Sequence, residues 1–326
     1  MMLLAAAVSV IVPLSLFIWA VTLFMHTYLG QDAPLYPISP WRCLLSVVAP
    51  LYLAIHGLRR NSVTMSGAIT GYIVGFVMLL SSYSFFAALV AFFYAGSKVT
   101  KLKAEKKKQI EHDYKEGGQR NWVQVVCNGG IATSLSILYM VDTGFMDPPL
   151  DFGHYYDATW MAMAVVGAIS CCCGDTFASE VGTVLGSEQP RLVTTWSKVP
   201  VGTNGAVSLI GLAASAFGGF IIGLAYYISL LLTYDGTVLQ SVPPQWPVVL
   251  FATLAGFLGS LIDSLLGATV QYSAFCSEEK RIVHMPSTTT KHIAGWPILD
   301  NDGVNMFSSL LTALLMPRIS FALWPL

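Results

Sequence analysis

Two carboxylates and two hydroxyls follow a long apolar run between Gly174 and Gly182. They are Asp175, Thr176, Ser179 and Glu180. Asp175 and Ser179 are four residues apart and share one face of a helix, whereas Glu180 lies on another face. A break of the helix at Gly174 or Gly182 would let all three side chains surround one cation. Mg²⁺ is commonly held by a few such oxygens with waters and substrate phosphates; helix capping at the membrane interface is the plainer alternative.

A third acid, Asp263, lies inside an apolar segment long enough to span a membrane. A carboxylate there is costly unless it is paired, bound to a metal or facing water. Gly259 and Gly267 lie four residues on either side of it, on the same helical stripe. The preceding segment has its own small-residue stripe, formed by Gly211, Ser215, Gly219 and Gly223. Such stripes are typical of helix-packing seams, and they could also form a groove for a lipid chain.

Residues suited to phosphate binding surround Gly202 and Gly205. These glycines permit an irregular backbone at the predicted start of a long helix, where free N–H groups favour a phosphate. Lys198 would add charge, and Thr203 and Asn204 would add hydrogen bonds. An ordinary glycine-containing turn is the alternative. The chain has no G-x-x-x-x-G-K-[ST] loop, so any nucleotide must be held in another way.

The stretch 97–121 is rich in Lys and Arg and is predicted to be a cytoplasmic loop by the positive-inside rule. Within it, Lys98, Lys101 and Arg120 could contact polyphosphate or anionic lipid. Asn128, in the following apolar segment, could provide a further phosphate contact. Alternatively, the stretch is a solvated signal that only sets topology.

Membrane-spanning helices would have to position these residues. Of 326 residues, 55% are hydrophobic and 11% are charged, against about 25% charged in soluble proteins. The sequence predicts one all-α integral membrane domain, residues 1–326, with eight or nine transmembrane helices. The predicted spans are Leu3–Met25, Cys43–Leu58, Gly67–Tyr94, Trp122–Val141, Trp160–Cys173, Thr203–Leu232, Trp246–Val270 and Val304–Leu323. The segment Gly67–Tyr94 could cross once or twice.

Loop charges predict the topology of these spans. Residues 142–157 contain four Asp and no Lys or Arg, and residues 233–245 contain one acid and no base. The loops that carry Lys and Arg are therefore assigned to the cytoplasmic side, with the amino terminus inside if the spans number nine. The groups then expected at or near the cytoplasmic face are Asp175, Glu180, Lys198, Asp263, Asp300 and Asp302.

The cysteines and histidines suggest little chemistry of their own. The six cysteines lack the spacing of a metal finger and are predicted to be reduced thiols, with palmitoylation of the run 171–173 as an alternative. No metalloprotease motif or Ser-His-Asp set can be singled out, so hydrolase chemistry is unsupported.

Several motifs, specific only when taken together, resemble the integral membrane family of animal transmembrane protein 19, which also includes the plant phytyl-phosphate kinase of tocopherol synthesis. The motifs are Gly174-Asp175-Thr176 with Ser179-Glu180, Gly202-Thr203-Asn204-Gly205, the segments 96–101 and 118–124, and Asp263-Ser264-Leu265-Leu266-Gly267. The resemblance covers Arg59 to Leu315 and is closer to the animal branch.

This resemblance implies transfer of a nucleotide γ-phosphoryl group, from CTP by analogy with dolichol and phytol kinases, to a prenyl monophosphate. We therefore expect Asp175, Glu180 and Asp263 to bind Mg²⁺ and, with Lys198, to act in catalysis. The residues expected to bind the phosphates are Lys98, Lys101, Arg120, Asn128, Gly202, Thr203, Asn204 and Gly205.

The expected surroundings follow from the same resemblance. The predicted location is the endoplasmic reticulum or another endomembrane, in contact with a prenyl phosphate and membrane lipids and without a nucleic-acid partner; a homo-oligomer is left open. The alternatives are a transporter or channel, for which an intramembrane acid and glycine seams are equally expected, and a non-catalytic lipid-binding protein.

Overall fold

The computed structural model describes residues 2–30, 34–101, 118–185, 189–278, 281–286 and 290–325. Most of the predicted basic loop 97–121 lies outside these residues. The helices within them are α1 Met2–Leu29, α2 Pro40–Arg59, α3 Met65–Ser81, α4 Tyr83–Thr100, α5 Trp122–Thr143, α6 Tyr156–Leu185, α7 Leu209–Thr233, α8 Gly236–Gln240, α9 Pro247–Val270 and α10 Asn301–Leu323. Among the described helices, seven are long and apolar enough to cross a membrane, and α3 is a shorter apolar helix. The predicted helical membrane protein is confirmed.

The segment left open between one and two crossings forms two helices, α3 and α4. Ser82 separates them, and its hydroxyl accepts a hydrogen bond from the N–H of Ser84 at the start of α4. The start of α3 and the end of α4 both contact the segment before α5: Gly67 packs on the Arg120 carbonyl, and Gly118 packs on Thr100. The two helices therefore form an antiparallel hairpin, which brings the long helices of the described residues to nine.

Helix α6 is the central helix of the bundle and contacts α4, α5, α7, α9 and α10. Its middle consists of small side chains, including the cysteines at 171–173, which are 0%, 3% and 0% exposed. Palmitoylation of these thiols is therefore the wrong interpretation, whereas the prediction of six free cysteines is confirmed. The predicted end of this span at Cys173 is also wrong, because α6 continues to Leu185. Hydropathy marks the end too early because polar residues interrupt the apolar run at Asp175 while the helix itself continues.

Glycines bring α6, α7 and α9 into backbone contact. A Cβ added to Gly174 of α6 would lie 2.4 Å from the carbonyl oxygen of Gly256 in α9. One added to Gly219 of α7 would lie 2.2 Å from another α9 carbonyl, and one on Gly259 would lie 2.6 Å from Cys171. Helices occupy these faces, so the stripes are packing seams and the expectation that they form a lipid groove is wrong there.

Short strands form a cap over one end of the bundle. The cap comprises the described residues of 190–207 and 271–300. Its strands are β1 Arg191–Leu192 paired with β2 Ala206–Val207, and an antiparallel sheet of order β4-β3-β5 formed by β3 Ser273–Cys276, β4 Arg281–Val283 and β5 Thr290–Ala294. Leu192, Val199 and Ala294 pack with Ala268 of α9 and fix the cap to the bundle. The predicted helix start at Thr203 is wrong because α7 begins at Leu209, after Ser208 accepts a hydrogen bond from Gly211 N.

The loops predicted to lie on the opposite side of the membrane meet at the other end of the bundle. Tyr36 N donates to the carbonyl of Gly144 at 2.7 Å, and Arg42 donates to the carbonyl of Phe145 at 2.5 Å. Leu150 exchanges two hydrogen bonds with the side chain of Gln245. The acidic loops are thus separated from the cap by the length of the bundle, as the charge pattern predicts.

Candidate functional site

A cavity of about 590 Å³ lies between the cap and the adjoining ends of α5, α6, α7, α9 and α10. Its acids are Asp175, Glu180, Asp263 and Asp302. Among the described residues that line it, Arg120 is the single Lys or Arg. The cavity is at the end of the bundle predicted to be cytoplasmic, and its size is typical of small-molecule sites, which measure about 300–1,000 Å³.

Asp175 and Asp263 meet inside this cavity. Asp175 lies about 15 Å along α6 from its end, and Asp263 lies about 10 Å from the end of α9. Their carboxyl groups are within hydrogen-bonding distance of each other. Ser308 of α10 donates a hydrogen bond to Asp263 Oδ2 at 2.9 Å. The close approach of α6 and α9 at Gly174 and Gly256 allows the two carboxyl groups to touch.

Glu180 does not join this pair in a three-acid cluster. Helix α6 continues through Gly174 and Gly182, so the break on which the three-ligand arrangement depended does not occur. These glycines serve close packing instead, against α9 and α7 respectively. Glu180 lies within electrostatic range of both Asp175 and Arg120. In the described part of the chain, no three His, Cys, Asp or Glu side chains are close enough together to hold a metal.

Arg120 is held at the cavity wall by its backbone and its side chain. Its N–H donates to the Ser62 carbonyl at 3.1 Å, and its carbonyl accepts from Thr64 N at 2.9 Å. Its guanidinium donates to Ser97 Oγ at 3.3 Å and lies 5.9 Å from the centre of the Phe92 ring. Burial lowers the pKa of Arg120, and the carboxylate of Glu180 opposes this shift. Arginine remains charged in proteins, so Arg120 places a fixed positive charge beside the acids.

The segment from Gly202 to Gly205 lines the cavity in an irregular conformation, as predicted. The φ angles of its two glycines are +90° and +75°. A Cβ on Gly205 would lie 2.5 Å from the carbonyl oxygen of Ser264, so only glycine fits beside α9. The N–H of Asn204 donates to Ser273 Oγ at 3.0 Å. The segment therefore belongs to the cap, and it is not the helix N-terminus that the phosphate prediction invoked.

Three lysines predicted to bind phosphate do not line the cavity. Lys98 is exposed on the last turn of α4, which extends to Thr100, into the first residues of the expected loop. Lys101 donates to the carbonyl of Arg60 at 2.7 Å and to Ser62 Oγ at 3.3 Å. Lys198 is exposed on the cap, beside Arg191 in a β-bridge. The structure therefore gives these three side chains no contact with the cavity, whereas Arg120 and Asn128 line it.

Residues of α10 complete the cavity: Asp302 was expected at this face, whereas Asn305 and Ser308 were not assigned a role in the site. Asn305 lines it, and its side-chain oxygen is buried without a hydrogen-bond partner among the described residues. Ser308 positions Asp263 and is 1% exposed. A signal was present, because Asp302, Asn305 and Ser308 recur every three residues in the first part of the helix. This spacing places them on one face.

The oxygen atoms in the cavity fit a hard divalent cation. Asp175 and Asp263 provide carboxylate oxygens, and the orphaned amide oxygen of Asn305 is a neutral donor of the same class. Neither carboxylate forms an ion pair with a Lys or Arg within the described ranges. A cation such as Mg²⁺ would supply the positive charge that these side chains lack.

Comparison with known proteins places the chain in a family. Residues 48–313 match the family described as integral membrane protein DUF92. Protein PGR of Arabidopsis thaliana is 41% identical over 84% of this chain and 95% of that protein. An uncharacterized membrane protein of Methanocaldococcus jannaschii is 29% identical over 73% of this chain and 87% of that protein. Protein VTE6, chloroplastic, of Arabidopsis thaliana is 26% identical over 57% of this chain and 49% of that protein.

No solved structure matches. The family match extends from within α2 to within α10 and includes every residue that lines the cavity. The chain therefore belongs to the integral membrane protein family DUF92.

Proposed function

We propose that this protein is a membrane-embedded kinase that transfers the γ-phosphoryl group of a nucleoside triphosphate, preferably CTP, to a prenyl monophosphate. Phytyl, farnesyl and geranylgeranyl phosphate are the candidate acceptors. The observation that carries the proposal is the contact between Asp175 and Asp263 in a polar cavity that also holds Arg120. The resemblance to a family that includes plant phytyl-phosphate kinase supports it. We also propose membership of the animal transmembrane protein 19 branch and an endoplasmic-reticulum or other endomembrane location.

The shape of the bundle suits such a substrate. A prenyl phosphate has an apolar tail that belongs in the bilayer and a charged head that belongs at the interface. The cavity lies at the end of a membrane-spanning bundle, and its acids reach about 10–15 Å into the helices. A headgroup could therefore enter the cavity while its tail stays among apolar side chains.

The reaction forms a bond between an oxygen of the lipid monophosphate and the γ-phosphorus. The bond from that phosphorus to the β–γ bridging oxygen breaks, and the nucleoside diphosphate leaves. Phosphoryl transfer needs alignment and charge neutralisation more than covalent help from the protein. Mg²⁺ held by Asp175 and Asp263 would supply part of that neutralisation. Arg120 would donate hydrogen bonds to phosphate oxygens, and Gly202–Gly205 would let the phosphates approach the backbone.

The proposal is tested with purified protein in nanodiscs, supplied with Mg²⁺, geranylgeranyl or phytyl monophosphate, and either CTP or ATP. The lipid diphosphate is measured by mass spectrometry. We expect wild-type turnover and a loss on the order of 10²-fold or more in Asp175→Asn, because a negative group that holds the metal is removed. Thr233→Val, at the far end of α7, serves as the control and should match wild type.

Two results would contradict the kinase proposal. If neither nucleotide supports turnover while Asp175→Asn alters a flux across sealed vesicles, a transporter is the better description. If wild type and Asp175→Asn are equally stable and inactive in both assays, a non-catalytic lipid-binding protein is the better description.

A further inference from the structure

The side-chain oxygen of Asn305 is a buried acceptor without a donor. Asn305 lies near the start of α10 and lines the cavity, and its Oδ1 has no hydrogen-bond partner among the described residues. Leaving a buried polar atom without a hydrogen-bond partner is energetically costly. A native protein rarely carries that cost without a use, so this oxygen is expected to meet a ligand.

Asn305 lies on the same face of α10 as the contact to the acid pair. The hydroxyl of Ser308, three residues further on, is 2.9 Å from Asp263 Oδ2 and 3.1 Å from the backbone oxygen of Asn305. Residues three apart on a helix are neighbours. Asn305 therefore lies on the cavity side of α10, one turn nearer the cap than the point where α10 contacts Asp263.

The charges around the pair favour a cation over a shared proton. Two carboxylates in contact repel each other unless a proton or a cation lies between them. A proton shared by Asp175 and Asp263 would satisfy that pair but would leave Asn305 Oδ1 unpartnered. The guanidinium of Arg120 contacts Ser97 and Phe92, and no ion pair joins it to either aspartate within the described residues. A single cation would satisfy all three side chains at once.

We infer that Asn305 Oδ1 binds a divalent cation together with the carboxylates of Asp175 and Asp263, an inference that deepens the proposed function and rests on it. All three donors are hard oxygens, which suit Mg²⁺ or Mn²⁺. Waters and phosphate oxygens of the substrates complete the coordination. Glu180, which the sequence suggested as a ligand, is replaced in that role by a neutral amide from another helix.

The test measures Mn²⁺ binding by electron paramagnetic resonance to the purified full chain, without nucleotide or lipid. Wild type should bind one Mn²⁺. Asn305→Leu, which removes the oxygen at similar volume, should weaken the affinity about 10- to 100-fold. Asn305→Asp, which exchanges the amide oxygen for a carboxylate, should bind at least as tightly as wild type. Thr312→Val is the matched control, because Thr312 is buried on α10 and its hydroxyl donates to the Ser308 carbonyl outside the cavity lining.

The inference is overturned if wild type binds no Mn²⁺, or if Asn305→Leu binds it as tightly as wild type and Thr312→Val. Should Asn305→Leu fail to fold, Asn305→Asp decides, because an affinity well below that of wild type contradicts a ligand at this position. The proposed function fails separately: a wild type that binds Mn²⁺ but makes no lipid diphosphate refutes the kinase and leaves the metal site standing.

Discussion

Ser308 connects two helices to the acid pair through one hydroxyl. Its Oγ donates to Asp263 Oδ2, and the thiol of Cys171 in α6 lies 3.7 Å from the same Oγ. A group that orients a metal-binding carboxylate usually affects metal affinity without contacting the metal itself. Ser308 therefore has a role that can be separated from the packing of α10.

Removing this hydroxyl should lower the apparent affinity for Mg²⁺ in turnover more than it lowers the stability of the folded protein. We expect Ser308→Ala to raise the Mg²⁺ concentration for half-maximal turnover by about 10- to 100-fold, because Asp263 loses the donor that orients it. Ser309→Ala is a close control, since Ser309 is equally buried but donates to the Met306 carbonyl instead of to Asp263. Equal Mg²⁺ dependence in the two variants would refute a positioning role.

A second buried acid, Asp151, fixes the loop at the opposite end of the bundle. It is 2% exposed and accepts hydrogen bonds from the backbone N–H groups of Gly153 and His154, at 2.8 and 3.1 Å, while His154 Nδ1 lies 2.8 Å from its other oxygen. Burial alone would raise the pKa of Asp151, but the hydrogen bonds to its charged form lower it overall. The ionised carboxylate is thus favoured in the folded state.

This lowered pKa predicts an acid-sensitive contribution to stability. A carboxyl whose pKa is lower when folded stabilises the protein above its unfolded pKa, about 3.9, and the contribution is lost as pH falls through the folded pKa. We expect Asp151→Ala to lower the free energy of unfolding at pH 7 by about 1–3 kcal/mol. The difference in unfolding free energy between Asp151→Ala and wild type should become smaller as the pH is lowered. Thermal unfolding over a pH series measures it, with the exposed Asp142→Ala as control; a gap independent of pH would contradict the assignment.

At the scale of elements, the glycine contact between α6 and α9 determines whether the acids can meet. A Cβ on Gly174 would lie 2.4–2.8 Å from three backbone atoms of Gly256, none of which can rotate away. Helix α6 or α9 would have to shift to accept it. Because Asp175 is the next residue along α6, such a shift changes the distance to Asp263.

Gly174→Ala should therefore lower both stability and activity. We expect a loss of about 1–3 kcal/mol from overpacking, together with a higher Mg²⁺ requirement, measured by thermal unfolding and a metal titration of turnover. Gly71→Ala in α3 is the control, because an added Cβ there meets nothing within 4 Å. That variant should be neutral or stabilised by about 0.5–1 kcal/mol through helix propensity. A Gly174→Ala protein that behaves like Gly71→Ala would contradict the contact.

The elements that sequence predicted well are those whose surroundings are lipid. Apolar length located α1 and α2 to within a few residues, because much of their surface is exposed and would meet lipid, which selects apolar side chains. Apolar length gave the wrong end for α6, because polar residues from Asp175 onward line a cavity or contact the surrounding protein. It also placed the start of α7 too early, because the residues before Leu209 pair as strand β2 and contact α9 in the folded chain.

The site itself was predicted in part. The energetic cost of a carboxylate inside a membrane span singled out Asp263, and the charges of the loops predicted that Asp175 lies on the same side of the membrane. Their contact, however, depends on the close packing of α6 and α9 at Gly174, which no local sequence pattern specifies. Charge alone suggested Lys98 and Lys198, which the folded chain leaves exposed outside the cavity. Asn305 was assigned no role in the site, because its spacing from Asp302 and Ser308 does not show that its amide oxygen is buried without a partner until the fold is known.

At the scale of the whole molecule, the chain has two chemically different ends. One carries the cap, Arg120 and the cavity, and the other carries the loops with Arg42, Asp147 and Asp151. Nine long helices in the described residues place the start of α1 at the cavity end, together with the described residues Lys101 and Arg120. The positive-inside rule predicts that this end is cytoplasmic, where soluble nucleotides are available.

This orientation predicts which residues are accessible from each side. Helix α7 is 25 residues long, about 37 Å, and so crosses a 30 Å hydrocarbon core once between the cap and α8. Two exposed positions report on it: Thr194 in the cap and Thr237 in α8. Each is changed to Cys in a Cys127→Ser background, because Cys127 is the one native thiol that is partly exposed. A membrane-impermeant maleimide is then applied to sealed vesicles whose cytoplasmic face is outward.

We expect immediate labelling of Thr194→Cys and labelling of Thr237→Cys only after the membrane is permeabilised. Equal labelling of both would show that α7 does not cross. The reverse pattern would place the cavity on the non-cytoplasmic side, and the kinase proposal would then lack a nucleotide donor even with its acid pair intact. The topology of one helix thus bears directly on the chemistry that Asp175 and Asp263 can perform.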